Sequence, residues 1–513
     1  MRRRAGIVGA GLSGLVTART LLQEGFDVTL FETDDEVGGV WARSRRYPGL
    51  HTQNPRDTYA FSDFPMPRAY PEHPSGEQVQ AYLAAYAGHF GVAEHVRLGT
   101  AVRHAAPHGG GWRVRSASTD GAGGERTDRF DFLAVCNGTF SQPHLPDFPG
   151  MDAFRQAGGT VLHSTWLCDA AQVRGRRVVV VGGAKSACDA AMAALPAALR
   201  TTLVFRHARW KMPKRFAGVV PLRYVLTTRF SEALFRGPEL RGIETVLHTV
   251  GRPAVWLFWR CVEALLRAGG GLDAAGMVPR ERIEDVVSCA LGLETDGLFA
   301  AVRQGRLGAR RAGIRALHPG GVQLDTGERL DADVVVLGTG FRQGAPFLAD
   351  AVRGTVQDRA GVFHLYRTLV HPDVPGLAFV GYNSSLYSQL TSEIGARWVA
   401  RLWMGELRLP SRPRMRAEVA ARWAWLRRHR PHGTMGGTCV VPFTFHHIDD
   451  LLHDLGARTA RRPLNRLAEW MMPVDPANYA DLKAELDRNR ARRMRDARTG
   501  GPPAQETAGA ARR

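Results

Sequence analysis

The sequence predicts an α/β protein built on two doubly wound parallel sheets of the Rossmann type, with a nucleotide-binding unit in each. Three observations predict this fold class. An apolar strand, a glycine-rich turn and a helix follow one another near residue 9, and the same order recurs near residue 182. The chain has 513 residues, enough for two or three domains, and 44% of them are hydrophobic, which excludes a disordered or collagen-like protein.

The first unit, at 5–32, carries a complete dinucleotide-binding pattern. Gly9, Gly11 and Gly14 stand in the spacing GxGxxG between a strand and a helix, and the following strand ends on Glu32. Gly9 permits the tight turn, Gly11 lets the backbone approach a pyrophosphate, and Gly14 packs the helix against the strand. Because Glu32 is placed to accept hydrogen bonds from ribose hydroxyls, we expect FAD in this unit.

The second unit repeats the pattern with small residues at Gly182, Ala184 and Ala187, and its next strand ends on Arg206. A cation at this place suits a 2′-phosphate, whereas Glu32 at the matching place of the first unit suits free hydroxyls. We therefore expect NADPH here, and an ordinary surface charge is the alternative for the arginine. Further contacts with this nucleotide are expected from Lys185 and Ser186.

Three further turns are expected to pass close to a nucleotide. One is the glycine pair and indole at 38–41, and the other two follow the apolar strands at 132–136 and 334–337. Small residues in such turns allow the backbone to approach a ligand or to cross between domains. The expected cofactor contacts in these turns are Gly39, Trp41, Thr139, Thr339 and Gly340.

The charge of the chain does not by itself identify a partner. Lys and Arg total 68 against 49 Asp and Glu, which gives a formal net charge of +19. Part of this excess lies in an arginine-rich tail at 488–513, which is typical of a solvated chain end. Because no nucleic-acid-binding motif accompanies the charge, we expect a small-molecule substrate and no nucleic-acid partner.

The cysteine and histidine patterns predict no metal centre. The six cysteines are scattered without a CxxC pair, which disfavours a disulfide framework, a zinc site and a redox-active dithiol. Histidines and aspartates cluster at 446–453, but polar residues at a helix start explain them more simply than metal ligands do. The sequence shows no apolar leader and no membrane-spanning run, so we expect a cytoplasmic protein.

Together these motifs resemble the flavin-containing monooxygenases, the class B flavoprotein monooxygenases, from about Arg4 to about Ser411. The resemblance rests on both fingerprints and on the segments 38–41, 62–65, 338–341 and 365–411. It implies an oxidoreductase that uses NADPH, FAD and O₂ to oxygenate a nitrogen or sulfur centre of a small molecule through a C4a-hydroperoxyflavin. Baeyer–Villiger oxygenation of a ketone and a flavin-dependent NADPH reductase or oxidase remain alternatives.

The resemblance also implies which side chains act at the flavin. The family's asparagine beside the flavin falls at Gln53 or at Asn54, and either amide could hydrogen-bond oxygen species or substrate. His163 matches the histidine of the family's FxGxxxH stretch, which is only partly kept here, and a structural histidine between domains is the alternative. Expected flavin-ring contacts are Asn383, Gln389 and Thr391.

The FAD domain is expected in two parts with the NADPH domain inserted between them. The expected ranges are 1–165 and 320–460 for the FAD domain, 166–319 for the NADPH domain, and 461–513 for a C-terminal extension that ends in a basic, mobile tail. Residues 107–126 are expected to form a loop or hairpin tip. A helical insert at 216–275 carries Trp256 and Phe258 among arginines in the segment 253–268; core packing, a substrate-tunnel wall and weak membrane-surface contact are its alternative roles.

Overall fold

The structure is a computed structural model that describes residues 2–121, 123–216, 218–287, 292–430, 438–462 and 464–498. In chain order, the strands are β1 (Arg4–Val8), β2 (Asp27–Phe31), β3 (Val96–Arg97), β4 (Thr100–His108), β5 (Gly111–Ser118), β6 (Arg126–Phe130), β7 (Phe132–Val135), β8 (Gln142–Pro143), β9 (Thr160–His163), β10 (Arg177–Val181), β11 (Arg200–Val204), β12 (Lys211–Met212), β13 (Arg215–Phe216), β14 (Val220–Pro221), β15 (Gly292–Leu293), β16 (Leu307–Arg310), β17 (Ile314–His318), β18 (Gly321–Leu324), β19 (Arg329–Asp331), β20 (Val334–Leu337), β21 (Phe341–Arg342) and β22 (Leu377–Phe379). The helices are α1 (Leu12–Gln23), α2 (Gly76–His89), α3 (Met151–Gln156), α4 (Lys185–Ala194), α5 (Arg223–Leu226), α6 (Arg229–Ala233), α7 (Ile243–His248), α8 (Arg252–Gly270), α9 (Ile283–Val286), α10 (Leu298–Arg303), α11 (Asp350–Val356), α12 (Ser388–Trp403), α13 (Arg412–His429), α14 (Thr444–Asp454), α15 (Arg466–Met471) and α16 (Leu482–Arg498).

The first sheet has five parallel strands in the order β22-β7-β1-β2-β3. Its central strand β1 is almost wholly buried, because helices cover both faces of a parallel sheet and the strand residues must then be apolar on both sides. Val8 lies in register with both Phe31 and Val135, so three strands end at one edge. The glycine turn and the start of α1 lie at that edge, where doubly wound sheets bind their ligands.

The second sheet also has five parallel strands, in the order β16-β11-β10-β20-β9. Val178 is paired with Val334, and Val334 in turn with Thr160. The predicted mixed α/β class with parallel sheets is therefore confirmed.

The strands β9 and β20 belong to the second sheet, whereas the sequence-based ranges assigned them to the FAD domain. Sequence spacing does not reveal such pairing, because it joins strands that are far apart in the chain, and the domain ranges stay a prediction.

The range 107–126, expected to form a loop or hairpin tip, belongs to a three-stranded antiparallel sheet, β4-β5-β6. Gly109 and Gly110, both with positive φ, form the expected hairpin tip, but the strand β5 occupies much of the range. Trp112 and Val114 alternate with exposed residues and are buried, which is the period of a half-buried strand. The glycine-rich composition of the segment obscured this alternation.

The insert is helical as predicted, because α5 to α8 lie within 216–275. The C-terminal extension contains α15 and α16, and residues 499–513 of the predicted mobile tail lie outside the described residues. Cys439 is disulfide-bonded, a bond that sequence spacing could not reveal because it does not show which cysteines meet in space. Among the described residues, no helix is both long and apolar enough to span a bilayer.

Candidate active site

In the first glycine turn, two of the three glycine positions have no space for a side chain. Gly9 has a φ of +102°, and a Cβ there would lie 2.7 Å from the Cys136 carbonyl oxygen. A Cβ on Gly14 would lie 1.8 Å from the Gly9 carbonyl oxygen, so this helix position accepts no larger residue. Gly11 differs, because its Cβ would meet only the Cα of Gly39 at an ordinary 3.4 Å. Gly9 and Gly14 thus serve the packing of the turn, whereas Gly11 leaves open space beside the backbone.

The two helices that follow the glycine turns have no side-chain caps. The N-cap of α1 is Gly11 and that of α4 is Ala184, neither of which makes a side-chain hydrogen bond. By contrast, α2 begins with a complete capping box of Ser75 and Gln78. The first backbone N–H groups of a helix and its dipole attract anions when no side chain satisfies them. Both helix starts therefore fit the pyrophosphate of a dinucleotide.

Glu32 lies buried at the end of β2, beside the first turn. One carboxylate oxygen accepts a hydrogen bond of 2.7 Å from the Ala10 N–H, and the other accepts one of 3.1 Å from the Asp34 N–H. Burial lowers the pKa of the nearby Arg45, although Glu32 and Asp34 act in the opposite direction. The carboxylate is therefore held by backbone donors at the position expected for a ribose contact.

In the second unit, the small residues fit against the end of β20. Gly182 has a φ of +138°, and a Cβ there would lie 2.3 Å from the Gly338 carbonyl oxygen. A Cβ on Gly338 would lie 2.4 Å from the Cβ of Ala187, so both positions must stay small. Ser186 stands in the first turn of α4. Arg206 is exposed just beyond β11, where its guanidinium is free to meet a phosphate.

Lys185 is placed differently from the expectation. Its ammonium donates a hydrogen bond of 2.5 Å to Asp189, one helical turn further along α4, and a longer one of 3.3 Å to Thr295. Asp189 is buried and also accepts a hydrogen bond from the Tyr47 hydroxyl. Contact between Lys185 and a nucleotide phosphate remains a prediction, and it would compete with this ion pair.

His163 ends β9 and is fully buried. Its Nε2–H donates a hydrogen bond of 3.0 Å to the Gly340 carbonyl oxygen, and its Nδ1 accepts one of 2.8 Å from the Thr165 hydroxyl. Burial lowers its pKa, so the ring is neutral as these two bonds require. Nε2 thus binds the turn that carries Thr339 and Gly340, whereas Nδ1 binds Thr165 in the turn after β9. Because both ring nitrogens are engaged, this geometry favours the structural alternative over contact with substrate.

A small cavity that is open to solvent adjoins the predicted amide pair. Gln53 Oε1 accepts a hydrogen bond of 3.1 Å from the Leu293 N–H, and Asn54 Nδ2 donates one to the Leu386 carbonyl oxygen. The charged groups in the wall are paired, since Lys214 contacts Asp296 and Arg223 contacts Asp57. The rest of the wall combines apolar residues with the polar residues Glu72, His73 and Thr227; the others are Pro55, Met212, Leu222, Leu226, Gly292, Leu293 and Leu386.

The start of α12 brings together the expected flavin-ring contacts. Gln389 is buried beside the Tyr59 hydroxyl, yet neither of its amide atoms makes a hydrogen bond of good geometry. Such an orphaned amide fits a ligand that offers both donors and acceptors, as the flavin ring does. Thr391 donates a hydrogen bond of 3.1 Å to the Tyr387 carbonyl oxygen, and Asn383 donates one of 3.1 Å to His447.

One contact joins this helix to the first unit directly, and a second reaches it through Tyr59, which lies beside Gln389. The Ser13 and Ser392 hydroxyls lie 2.9 Å apart, which links α1 to α12. Trp41 Nε1 donates a hydrogen bond of 3.2 Å to the Tyr59 hydroxyl, and burial raises the pKa of Tyr59 to about 12. The residues present therefore fit a bound FAD, with α1 at its pyrophosphate and the start of α12 near its ring.

Sequence reasoning missed several residues of this region. Tyr59, Ser392 and Leu386 reach the site through contacts between distant parts of the chain, and no local signal marks them. The Lys185–Asp189 pair did have a signal, because oppositely charged residues four apart on a helix face each other. Thr139 is buried in the turn after β7, and the turn of Thr339 is fixed by a hydrogen bond to the His144 carbonyl oxygen.

The histidine–aspartate cluster at 446–453 is explained by ion pairs. His446 lies between two buried carboxylates, at 3.0 Å from Glu232 and 3.0 Å from Glu244, and these contacts raise its pKa to about 10 against the opposing effect of burial. Arg229 forms a paired hydrogen bond with Asp449. Within the described part of the chain, no group of three or more His, Cys, Asp or Glu side chains is arranged to hold a metal ion.

Comparison with known proteins matches this chain to flavin-dependent monooxygenases. A family model described as flavin-binding monooxygenase-like matches residues 2–241 and 296–459. The chain is 28% identical over 521 residues to the probable flavin-containing monooxygenase 1 of Arabidopsis thaliana, covering 93% of this chain and 96% of that protein. It is also 28% identical over 444 residues to the N-oxide-forming dimethylaniline monooxygenase 2 of Rattus norvegicus, covering 82% and 77%.

Solved structures with the same fold include an S-oxygenase and a steroid monooxygenase. The S-allyl-L-cysteine S-oxygenase of Allium sativum superposes with a TM-score of 0.62 at 21% identity, covering 95% of this chain and 99% of that one. An oxidised steroid monooxygenase bound to NADP superposes with a TM-score of 0.65 at 18% identity, covering 90% and 99%. At these identities the likeness shows the fold alone.

Proposed function

Because this chain belongs to the flavin-binding monooxygenase-like family and is therefore a flavin-dependent monooxygenase, we propose that FAD occupies its first unit and NADPH its second. The reaction is the transfer of one atom of O₂ to a nitrogen or sulfur atom of a small molecule. FAD supplies the activation of O₂, which no side chain of the protein can provide. The protein's own contribution is to bind, to orient and to keep water out.

The cavity beside Gln53 and Asn54 is the observation that carries the proposal. Residues that follow the first glycine unit, at 53–55, line it together with residues 212–227 and 292–293, which follow β11. A hydride donor and a flavin must meet at one place, and this is where side chains from both halves of the chain converge. Residues such as Met212 and Leu293 give part of the wall an apolar surface, against which a bound substrate would have less contact with water.

The two amides have the chemistry for a positioning role in this cavity. Each is fixed by a hydrogen bond to a backbone group of another segment, which holds its orientation before substrate enters. The Oε1 atom of Gln53 is occupied, and its Nε2 donors remain for an oxygen atom of a ligand. We assign to Gln53 and Asn54 the orientation of the reacting oxygen and the substrate, and we assign no acid or base.

The choice of a nitrogen or sulfur atom is supported by the reactions for which similar proteins are named. The rat relative forms N-oxides, and the garlic enzyme of the same fold is an S-oxygenase. Both atoms are soft nucleophiles with a lone pair that attacks an electrophilic oxygen directly. The charged groups of the cavity wall are neutralised by their own partners, which favours a small, uncharged reacting centre.

Oxygen-isotope labelling tests the proposal. Purified, flavin-loaded enzyme is supplied with NADPH under ¹⁸O₂ and offered tertiary amines, thioethers and cyclic ketones in parallel. We expect an N-oxide or sulfoxide that carries one ¹⁸O atom, with NADPH consumed in equal amount. An ester or lactone from the ketone alone would instead establish Baeyer–Villiger chemistry, and peroxide release with every compound would establish an oxidase.

A further inference from the structure

A second cavity lies among α13, the start of α14 and the segment 363–367. Its volume is about 390 Å³, which is within the range of about 300–1,000 Å³ typical of small-molecule sites. None of the described residues that line it also lines the cavity beside Gln53 and Asn54. It is therefore a separate space, and the oxygenation proposed above does not use it.

Arg422 lies at the middle of the face that α13 turns toward this cavity. The residues three and four positions before and after it also line the cavity; they are Glu418, Val419, Trp425 and Leu426. Residues at these spacings lie on one face of a helix. The side chain of Arg422 therefore forms the central part of the wall that α13 contributes.

The guanidinium of Arg422 has no carboxylate partner among the described residues. Its described hydrogen bond, of 3.1 Å, runs to the Cys439 carbonyl oxygen and leaves four of its five N–H donors for other acceptors. The internal stretches that the structure does not describe, 122, 217, 288–291, 431–437 and 463, contain no Asp or Glu. Burial lowers the pKa of Arg422 to about 10, so the group is still a cation at neutral pH. A cation that has lost part of its hydration and has no counter-ion favours the binding of an anion.

The other charged groups of the wall already have partners of opposite charge. The pairs are Glu239–Arg241 at 3.4 Å, Asp450–Arg241 at 2.9 Å, Asp450–Arg367 at 3.1 Å, Glu418–Arg414 at 3.2 Å, and His446 at 3.0 Å from both Glu232 and Glu244. Asp450 raises the pKa of Arg422 from a distance and Arg367 lowers it, so these two effects oppose each other. Arg422 is therefore the cation of the described wall that is left for a ligand.

His447 places a second donor near Arg422. Its Nε2 accepts a hydrogen bond of 3.1 Å from the Asn383 amide, so the neutral ring carries its proton on Nδ1. That Nδ1–H group makes no hydrogen bond with a described residue, and His447 lines the cavity. Burial lowers the pKa of His447 to about 3, and the positive charge of Arg422 acts in the same direction. The ring therefore stays neutral and keeps this donor for the oxygen of an anion.

The rest of the wall favours an aromatic ligand. Four aromatic side chains contribute to it: Phe363, Tyr366, Trp425 and Phe443. One guanidinium fork matches the two oxygens of a carboxylate, whereas a phosphate dianion needs more positive charge than this wall leaves unpaired. We propose that the cavity binds a small aromatic carboxylate, with its oxygens at Arg422 and His447 and its ring against the aromatic side chains. This ligand and the oxygenated substrate can be bound at the same time, because the two cavities share no described wall residue.

Equilibrium dialysis of the flavin-loaded enzyme with 2-naphthoate tests the proposal. No NADPH is added, so the result does not depend on the oxygenation proposed above. We expect saturable binding of 2-naphthoate, much weaker binding of the uncharged 2-naphthamide, and a rise of about tenfold or more in the Kd of 2-naphthoate in Arg422→Gln. The matched control Arg428→Gln removes an exposed arginine of the same helix and should leave this Kd unchanged. Because Arg422→Gln removes a cation that has no counter-ion, its fold should survive, which thermal unfolding checks.

Two further variants locate the binding site. Val419→Trp narrows this cavity without a change of charge and should also weaken the binding of 2-naphthoate, which tests the site even if Arg422→Gln does not fold. Arg223→Gln removes a cation from the wall beside Gln53 and should leave the Kd unchanged. The proposal would be overturned by a wild type that shows no saturable binding at millimolar 2-naphthoate or binds 2-naphthamide equally well. An unchanged Kd in Arg422→Gln and Val419→Trp, or a loss of binding in Arg223→Gln with binding retained in Arg422→Gln, would overturn it as well.

Discussion

The Tyr47 hydroxyl donates a hydrogen bond of 2.8 Å to the carboxylate of Asp189, which lies inside the helix that opens the second nucleotide unit. Burial raises the pKa of Tyr47, so the phenol keeps its proton and donates at any physiological pH. Asp189 also receives the Lys185 ammonium and the Thr295 hydroxyl. This buried cluster joins the segment after the first unit to the second, and it takes Lys185 away from the open turn. Arg206 is left as the exposed cation beyond β11.

Replacing Arg206 should therefore change the choice of nicotinamide cofactor. Arg206→Ala removes a charge-assisted hydrogen bond to the 2′-phosphate, worth about 1.5–3 kcal/mol, or roughly 10- to 150-fold in kcat/KM. We expect this loss with NADPH and little change with NADH, measured by steady-state oxidation of each cofactor. The control Arg200→Ala alters an exposed arginine at the opposite end of the same strand. Equal losses with both cofactors would contradict the assignment.

Alanine substitutions at two glycines of the first turn should have different effects, one on FAD binding and the other on the stability of the fold. A Cβ on Gly11 meets only an ordinary contact, so Gly11→Ala should fold normally and lose bound FAD because the methyl group occupies the pyrophosphate's approach. A Cβ on Gly14 would overlap the Gly9 carbonyl oxygen at 1.8 Å. Gly14→Ala should therefore lower stability by about 1–3 kcal/mol. Flavin content per chain and thermal unfolding measure the two effects, and full flavin loading of Gly11→Ala would be inconsistent with FAD at this turn.

Alanine at Gln53 or Asn54 should uncouple NADPH oxidation from oxygenation. Loss of an orienting amide leaves flavin reduction intact but lets activated oxygen escape, so product per NADPH should fall about tenfold while peroxide rises. The ratio of product to NADPH is measured for both variants with one amine and one thioether. The variant with the larger effect identifies which amide holds the reacting oxygen. An unchanged ratio in both variants would remove these residues from the reaction.

The sequence predicted those features of the fold and of the site that depend on residues close together in the chain, and it missed those that depend on contacts between distant residues. Within each unit, the glycine turn, its strands and the charged residue after the second strand lie within about thirty residues of one another, and local spacing predicted them in the right order. The membership of β9 and β20 in the second sheet depends on pairing between strands far apart in the chain, which no periodicity encodes. The contact of Gln389 with Tyr59 is of the same long-range kind.

The imidazole of His446 should make the free energy of unfolding decrease as the pH becomes alkaline. Two carboxylates, Glu232 and Glu244, raise its pKa to about 10 in the folded chain, against about 6.5 when unfolded. A raised folded-state pKa contributes stability that is complete below the unfolded value and is lost as pH rises from about 6.5 through about 10. We expect the unfolding temperature to fall across this range in the wild type and to depend much less on pH in His446→Gln. The buried His447, whose pKa burial lowers to about 3, stays neutral throughout and so contributes no slope there. An alkaline slope that is the same in wild type and His446→Gln would show that other groups cause it.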